Sequence, residues 1–264
     1  MREILTTAEL ATVSGGDPMI VWAGQGFRPG VRAWYDGDAV AVAAPELSKR
    51  DRLAVLGPVD AVARLATEVF AEVGPSFRPF GDEQLIRELV DRRPGLEFGA
   101  AFGWMDTRIC PTHQTHPPAS QHAQPEPREA RSGGLVSDGG PAWLEGDTGV
   151  EALLIEAAPA SYAWPGRSGV RRWAAATGDG GELLSVAADA WSAPEIGFLA
   201  GVATRPVARG KGLSRQVCAF VTAELIKQHG RAGLMVDGDN PVAIAVYHRL
   251  GYTYRRVAAA SVRS

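Results

Sequence analysis

The stretch from Val202 to Val217, VATRPVARGKGLSRQV, holds the most distinctive chemistry in the chain. Gly210 and Gly212 let the backbone turn sharply and approach a ligand with no Cβ in the way. A strand that passes through such a loop into a helix brings free N–H groups and a helix N-terminus to one point, which suits a diphosphate. Arg205, Arg209 and Lys211 would complement its charge. The competing reading is an ordinary charged strand-to-helix turn. Two familiar phosphate loops are excluded. GxxxxGK[ST] fails because Arg205 stands where its first glycine belongs, and GxGxxG fails because Arg215 stands where its last one does. Some thirty residues on comes a second patterned stretch, DNPVAIAVYHRLGY, from Asp239 to Tyr252.

These residues need a scaffold, and the apolar periodicity outlines one. EIGFLAGVAT, residues 195–204, reads as a buried central strand leading into the loop. Leu213, Val217, Phe220, Val221 and Leu225 mark a helix ending at Gly230, and Leu234-Met235-Val236 a further strand. Asn240 caps a helix with Pro241 at its first position and Gly251 beyond its end, and a last strand runs from Tyr252 toward Val262. Upstream, Thr148 to Glu151 reads as a capping box, with strands expected around 172–177 and 183–189.

The N-terminal part alternates in a similar way. A hairpin is expected around Asp36-Gly37, a strand at 53–56, a helix carrying Val62, Leu65, Ala66, Val69 and Phe70, a second helix capped by Asp82, and a strand over 96–105. Between the halves, residues 107–141 hold six prolines, two glycine pairs and almost no large apolar side chain. They read as a linker or mobile loop, which divides the chain into 1–106 and 142–264. At 264 residues, with 45% apolar and 22% charged residues, the chain can bury a sizeable core. A net charge of −3 gives no global pull toward nucleic acid or an anionic membrane. Two cysteines make no disulfide framework, and no apolar run reaches a membrane span, so the expected location is cytoplasmic.

Arg209-Gly210-Lys211-Gly212-Leu213-Ser214 resembles the Arg/Gln-x-x-Gly-x-Gly/Ala motif of the GCN5-related N-acetyltransferases (GNAT), with Ser214 where Gly or Ala is usual. Asn240-x-x-Ala243-x-x-x-Tyr247-x-x-Leu250-Gly251-Tyr252 resembles that family's second signature. The similarity covers roughly 147–257 and is nearest in texture to the FR47-like branch, related to glycine N-acyltransferase. It implies an α/β fold with a mixed, splayed sheet flanked by helices. The N-terminal half is expected as a degenerate copy of the same fold, because its element order is similar while it lacks a loop like 209–214.

The resemblance further implies acetyl-CoA or another acyl-CoA as co-substrate, with no metal. Backbone amides of Arg209, Gly210, Lys211, Gly212, Leu213 and Ser214 would hold the CoA diphosphate. Val202, Ala203 and Thr204 would pair with the pantetheine arm, and Asn240 would sit near the cofactor. Tyr247 would protonate the departing thiolate, the alternative being a core aromatic on an amphipathic helix. Glu195 is the candidate base, with Asp189 second, against the plainer reading of a solvated strand-end carboxylate. Tyr162 and Trp164 are expected to border the acceptor cleft or, equally, to pack between the halves. The implied reaction is direct acyl transfer to the primary amine of a small molecule, by a monomer or homodimer that needs neither nucleic acid nor membrane. A non-catalytic acyl-CoA-binding or regulatory protein, and a protein N-acetyltransferase, are the alternatives.

Other signals are weaker. Cys110, His113, His116 and His122 have ligand-like gaps but lie in proline-rich text without paired spacing. Asp237-Gly238-Asp239-Asn240 lacks the remaining ligands of a calcium loop and reads as a strand-to-helix turn. His248 follows Tyr247 directly, and consecutive helical residues diverge by about 100°, so it faces elsewhere.

Overall fold

The computed structural model describes residues 1–111 and 140–263. Most of the expected linker, with His113, His116 and His122, lies outside the described residues. The N-terminal half comprises β1 (Arg2–Ile4), α1 (Thr7–Val13), α2 (Pro18–Ala23), β2 (Arg32–Asp36), β3 (Ala39–Leu47), β4 (Arg50–Leu56), α3 (Val59–Val73), β5 (Arg78–Asp82), α4 (Glu83–Arg92) and β6 (Leu96–Thr107). The C-terminal half comprises β7 (Ala142–Trp143), α5 (Val150–Ala157), β8 (Val170–Thr177), β9 (Leu183–Ala190), β10 (Gly197–Thr204), α6 (Leu213–His229), β11 (Ala232–Asp237), α7 (Pro241–Arg249) and β12 (Thr253–Val262).

Local chemistry accounts for most of these bounds. The Asp82 carboxylate accepts from the N–H groups of Gln84 and Leu85 and starts α4, and Asp17 does the same for α2, where Pro18 needs no acceptor. Gly74 and Gly230, both with left-handed φ, follow α3 and α6. The capping box expected at Thr148 does not form. Gly149 is the N-cap of α5 with φ +82°, and no side chain caps that helix.

All strands of the described residues join one twelve-stranded sheet in the order β1-β2-β3-β4-β5-β12-β6-β11-β10-β9-β8-β7. Two neighbouring pairs are parallel, β4 with β5 and β10 with β11; the other neighbours are antiparallel. The last strands of the halves cross over: β12 lies between β5 and β6, and β6 between β12 and β11. The division at 107–141 is therefore a division of the sequence and not of the sheet. Following the pairings across, β10 and β11 run opposite to β4 and β5. The carboxyl ends of one parallel pair and the amino ends of the other thus lie at the same end of the sheet.

Both faces are covered. One carries α1, α2 and α5 over a core containing Trp22, Trp104, Trp173, Trp191 and Phe198, with Trp22 stacked on Phe198 at 4.5 Å between centroids. The other carries α3 and α4 over the N-terminal strands and α6 and α7 over the C-terminal ones. Ala101 and Met105 of β6 fall in those two latter cores and are four residues apart, hence on one face of the strand.

Candidate active site

The site is built on β10. It pairs with β11 over three residues only, Gly197 to Leu199, so from Ala200 onward its β11-facing edge has no strand partner. On its other side the register with β9 slips: Ala200 faces Ala188 and Ala203 faces Val186, three steps against two. That is a β-bulge, which bends a strand and re-aims its amides. Gly201 sits in it with φ +62°. A Cβ there would lie 2.6 Å from Trp173 Cη2 and 3.0 Å from the Ala163 methyl, so both backbone and packing demand glycine. Val202, Ala203 and Thr204 follow on the open edge. Ser185 Oγ, on β9, holds the Ala203 carbonyl at 3.1 Å and the Thr204 hydroxyl at 2.8 Å.

The loop after β10 makes a short 3-10 turn over Pro206–Ala208 and then two left-handed glycines, Gly210 at φ +75° and Gly212 at φ +78°. An added Cβ at either would meet nothing within 4 Å. Gly212 is the N-cap of α6, and no side chain caps that helix. The first turn thus presents bare N–H groups and the positive end of a seventeen-residue dipole to open space. These residues fit an anionic diphosphate. Of the expected cations, Arg205 is committed elsewhere: its Nε donates to the Leu183 carbonyl at 2.7 Å and its guanidinium pairs with Glu156. Arg209 donates to the carbonyls of Thr204 and Ala157 at 3.2 and 3.3 Å, so it ties the loop to α5. Lys211 is exposed.

Tyr247 lies on α7, 7% exposed, in the core that also holds Leu213, Val217 and Cys218 of α6. Its ring is 5.9 Å from that of Tyr252. Burial above all raises the Tyr247 pKa well above 10, with Cys218 and Tyr252 adding in the same direction. Burial also pushes the Cys218 thiol up to about 12, against the hydrogen bond with Ser214. The phenol therefore keeps its proton at neutral pH, as a donor must. Asn240 caps α7, its Oδ1 accepting from the Ala243 N–H at 3.0 Å, so its side chain is spent on the helix. His248 is exposed and bonded to the Tyr252 carbonyl, on another face from Tyr247.

The base candidates fare differently. Glu195 is exposed in the tight turn between Ala193 and Ile196, before the amino end of β10 and so at the opposite end of that strand from the loop. The sheet does not bring it to the loop or to Tyr247. Asp189 is buried on β9 with both oxygens taken, one by the Ser192 hydroxyl at 2.5 Å and one by Arg172 at 3.3 Å. It is a structural anion. Tyr162 and Trp164 flank Ala163 in the segment joining α5 to β8, and Ala163 rests on the bulge, so both lie next to the strand opening. Tyr162 is 45% exposed, and Trp164 lines a cleft of about 470 Å³ with Glu46, Lys49, Pro165, Gly166, Arg167 and Ser168. Gly201 went unremarked in the sequence, although a glycine inside an apolar strand is itself a signal for a bulge or close approach.

Residues 180–261 match the FR47-like protein family. No curated protein matches the chain. Among solved structures, a GCN5-related N-acetyltransferase from Kribbella flavida superposes with TM-score 0.56 at 17% identity, covering 97% of this chain and 96% of that one. A GCN5-related N-acetyltransferase-like protein from Streptococcus suis superposes with TM-score 0.52 at 11% identity, covering 97% and 98%. At such identities the likeness is one of fold. Residues 180–261 are thus an FR47-like segment, and the chain around them has the fold of the GCN5-related N-acetyltransferases.

Proposed function

We propose that the protein transfers an acyl group, acetyl in the first instance, from acyl-CoA to a primary amine of a small molecule. The observation that carries this reading is the join of β10 to α6: a bulged strand with an open edge runs into a glycine loop and an uncapped helix. The loop amides of 209–214 would bind the diphosphate, and the open edge of Val202, Ala203 and Thr204 would pair with the amide groups of the pantetheine arm. Bound acyl-CoA supplies an activated carbonyl that an amine can attack. The amides re-aimed by the bulge at Gly201 would then stabilise the negative charge that develops on that carbonyl oxygen. Tyr247, kept protonated by burial, would hold a proton for the departing sulfur.

Acceptor amines are protonated at neutral pH, with an ordinary pKa of about 10. Neither Glu195 nor Asp189 stands where it could take that proton, so a water at the strand opening is the relay this reading assigns.

Calorimetric titration with CoA and acetyl-CoA tests the reading, with Gly212→Glu as the control. Binding to the wild type and at least hundredfold weaker binding to Gly212→Glu are expected. No binding to the wild type would overturn it, and binding without release of the CoA thiol from acetyl-CoA in the presence of any amine would leave a non-catalytic acyl-CoA-binding protein.

A further inference from the structure

Arg52, in the N-terminal half, has no part in the reaction as described, yet its setting is costly. It is 4% exposed near the start of β4, and among the described residues no carboxylate pairs with it. Its Nε donates to the Leu47 carbonyl at 3.0 Å, and its guanidinium lies 5.2 Å from the Phe80 ring centroid. Among the described residues no other group takes a hydrogen bond from it. Burial lowers its pKa to about 10, with Tyr162 acting the other way and Arg50 and Arg78 adding to the fall. It remains a cation at neutral pH. A buried charge without a counter-ion is strongly unfavourable unless something else supplies one.

The topology says at which end of the sheet Arg52 stands. The amino ends of β4 and β5 share an end of the sheet with the carboxyl ends of β10 and β11. The segment joining α5 to β8 bridges the two: Ala163 touches Gly201, and the ring of the preceding residue, Tyr162, lies 5.7 Å from Lys49 Nζ. Lys49 also lines the cleft beside Trp164 and has no acidic partner among the described residues. Of the nearby carboxylates, Asp51 accepts the Glu46 N–H, and Glu46 is the one acidic side chain on the cleft wall, against Lys49 and Arg167. The β3–β4 hairpin that presents Lys49 is itself strained, with left-handed φ at Glu46 (+52°), Ser48 (+53°) and Lys49 (+67°). Such strain is retained where the surrounding structure holds a backbone to a task.

The geometry points to Arg52 and Lys49 as the binding site for an anionic group on the acceptor. Tyr162 and Ala163 are adjacent, so one short segment reaches from this site to the bulge. The acceptor class is then a primary amine bearing a carboxylate or phosphate several bonds away from its nitrogen. The inference rests on the acyltransferase reading for its amine end, while the anion site can be probed without it.

At saturating acetyl-CoA, thiol release is followed with three acceptors of one chain length: an alkylamine, an ω-amino carboxylate and an ω-aminoalkyl phosphate. The wild type should favour one of the charged acceptors over the alkylamine by about ten- to a hundredfold in kcat/KM, and the better of the two identifies the anion. Arg52→Gln should lower that preference about tenfold or more through KM, and Arg52→Lys should restore part of it. Because Arg52 is buried, exposed Lys49→Gln is the second variant, expected to lower the same preference about threefold. Equal kcat/KM for charged and neutral amines in the wild type, or an unchanged preference in both variants, overturns the proposal. If no amine is acetylated, the acyltransferase reading fails, and the site is read by calorimetry with the matching carboxylate and phosphate lacking the amine. Binding weakened in Arg52→Gln then upholds it; no binding, or equal binding, overturns it.

Discussion

The two parallel strand pairs of this sheet are built alike and end differently. β4 with β5 and β10 with β11 each share three register pairs, and each leads into a long helix on the same face. Between β4 and α3 stand two residues, Gly57 and Pro58; between β10 and α6 stand eight, 205 to 212. In the short turn a Cβ on Gly57 would lie 2.3 Å from the Asp38 carbonyl oxygen, and one on Gly81 would lie 2.9 Å from that of Val55, so the strands stay closed. In the long one, Gly210 and Gly212 face open space and β10 bulges away. The helices that follow differ too. α4 buries Ile86 and Leu89, whereas α7 buries the hydroxyl-bearing Tyr247. A binding site therefore needs more than the strand frame: it needs a loop long enough to leave backbone amides unspent.

Matched substitutions put that difference at risk. Gly57→Ala should destabilise the protein by about 3 kcal/mol, through both a left-handed φ and a collision with backbone, whereas Gly212→Ala carries only about 1 kcal/mol of strain. Comparable losses in thermal unfolding would show that the two turns are equally constrained. Next in size, Tyr247→Phe should slow transfer about a hundredfold while leaving CoA affinity in place. Equal rates would remove Tyr247 from the chemistry and make α7 no more functional than α4.

One alkaline pH dependence belongs to the C-terminal half. The folded-state pKa of Cys218 is raised from 9.0 to about 12, so the folded protein holds a proton that the unfolded chain releases. The corresponding stability is fully present below pH 9 and is lost as pH rises toward 12. Cys218→Ala should flatten that alkaline loss in urea unfolding; an unchanged slope would refute the assignment. Smallest of all, Asn240→Ala should cost about 1 kcal/mol as a lost helix cap and leave CoA affinity within twofold. A tenfold loss of affinity would instead make Asn240 a ligand of the cofactor.

Elements with a clear period were legible in the sequence: the hairpin at Asp36-Gly37, α3 with its stripe from Val62 to Phe70, α4 behind Asp82, and the strand-loop-helix of 197–229. What escaped had no period to read. α2, PMIVWA, is buried on nearly every side, and β5, RPFGD, carries both proline and glycine in five residues. The glycine loop was legible because the cradle proposed for it lies in backbone conformation, which glycine reports directly. A base was not, since closeness to the proposed acyl site depends on which end of a strand a carboxylate occupies, and Glu195 stands at the end of β10 away from the loop. Arg52 was invisible for a related reason. In RDRLAVL it reads as the polar start of a strand, and only the pairing across six strands puts that start at the same end of the sheet as the opening of β10.

The crossed positions of β6 and β12 have a consequence for assembly. β12 is the last strand among the described residues, yet it forms the neighbour of β5 and so completes the sheet of the first half. Until residues 253–262 leave the ribosome, β5 keeps a bare edge that other chains can pair with. The halves cannot mature one after the other, as tandem domains commonly do. Nor can they be cut apart at 107–141 without stripping β11 of its partner β6 and β5 of its partner β12. Folding is instead a single closing event between segments about 150 residues apart in sequence, a high-contact-order step that sets a slow clock on the whole chain.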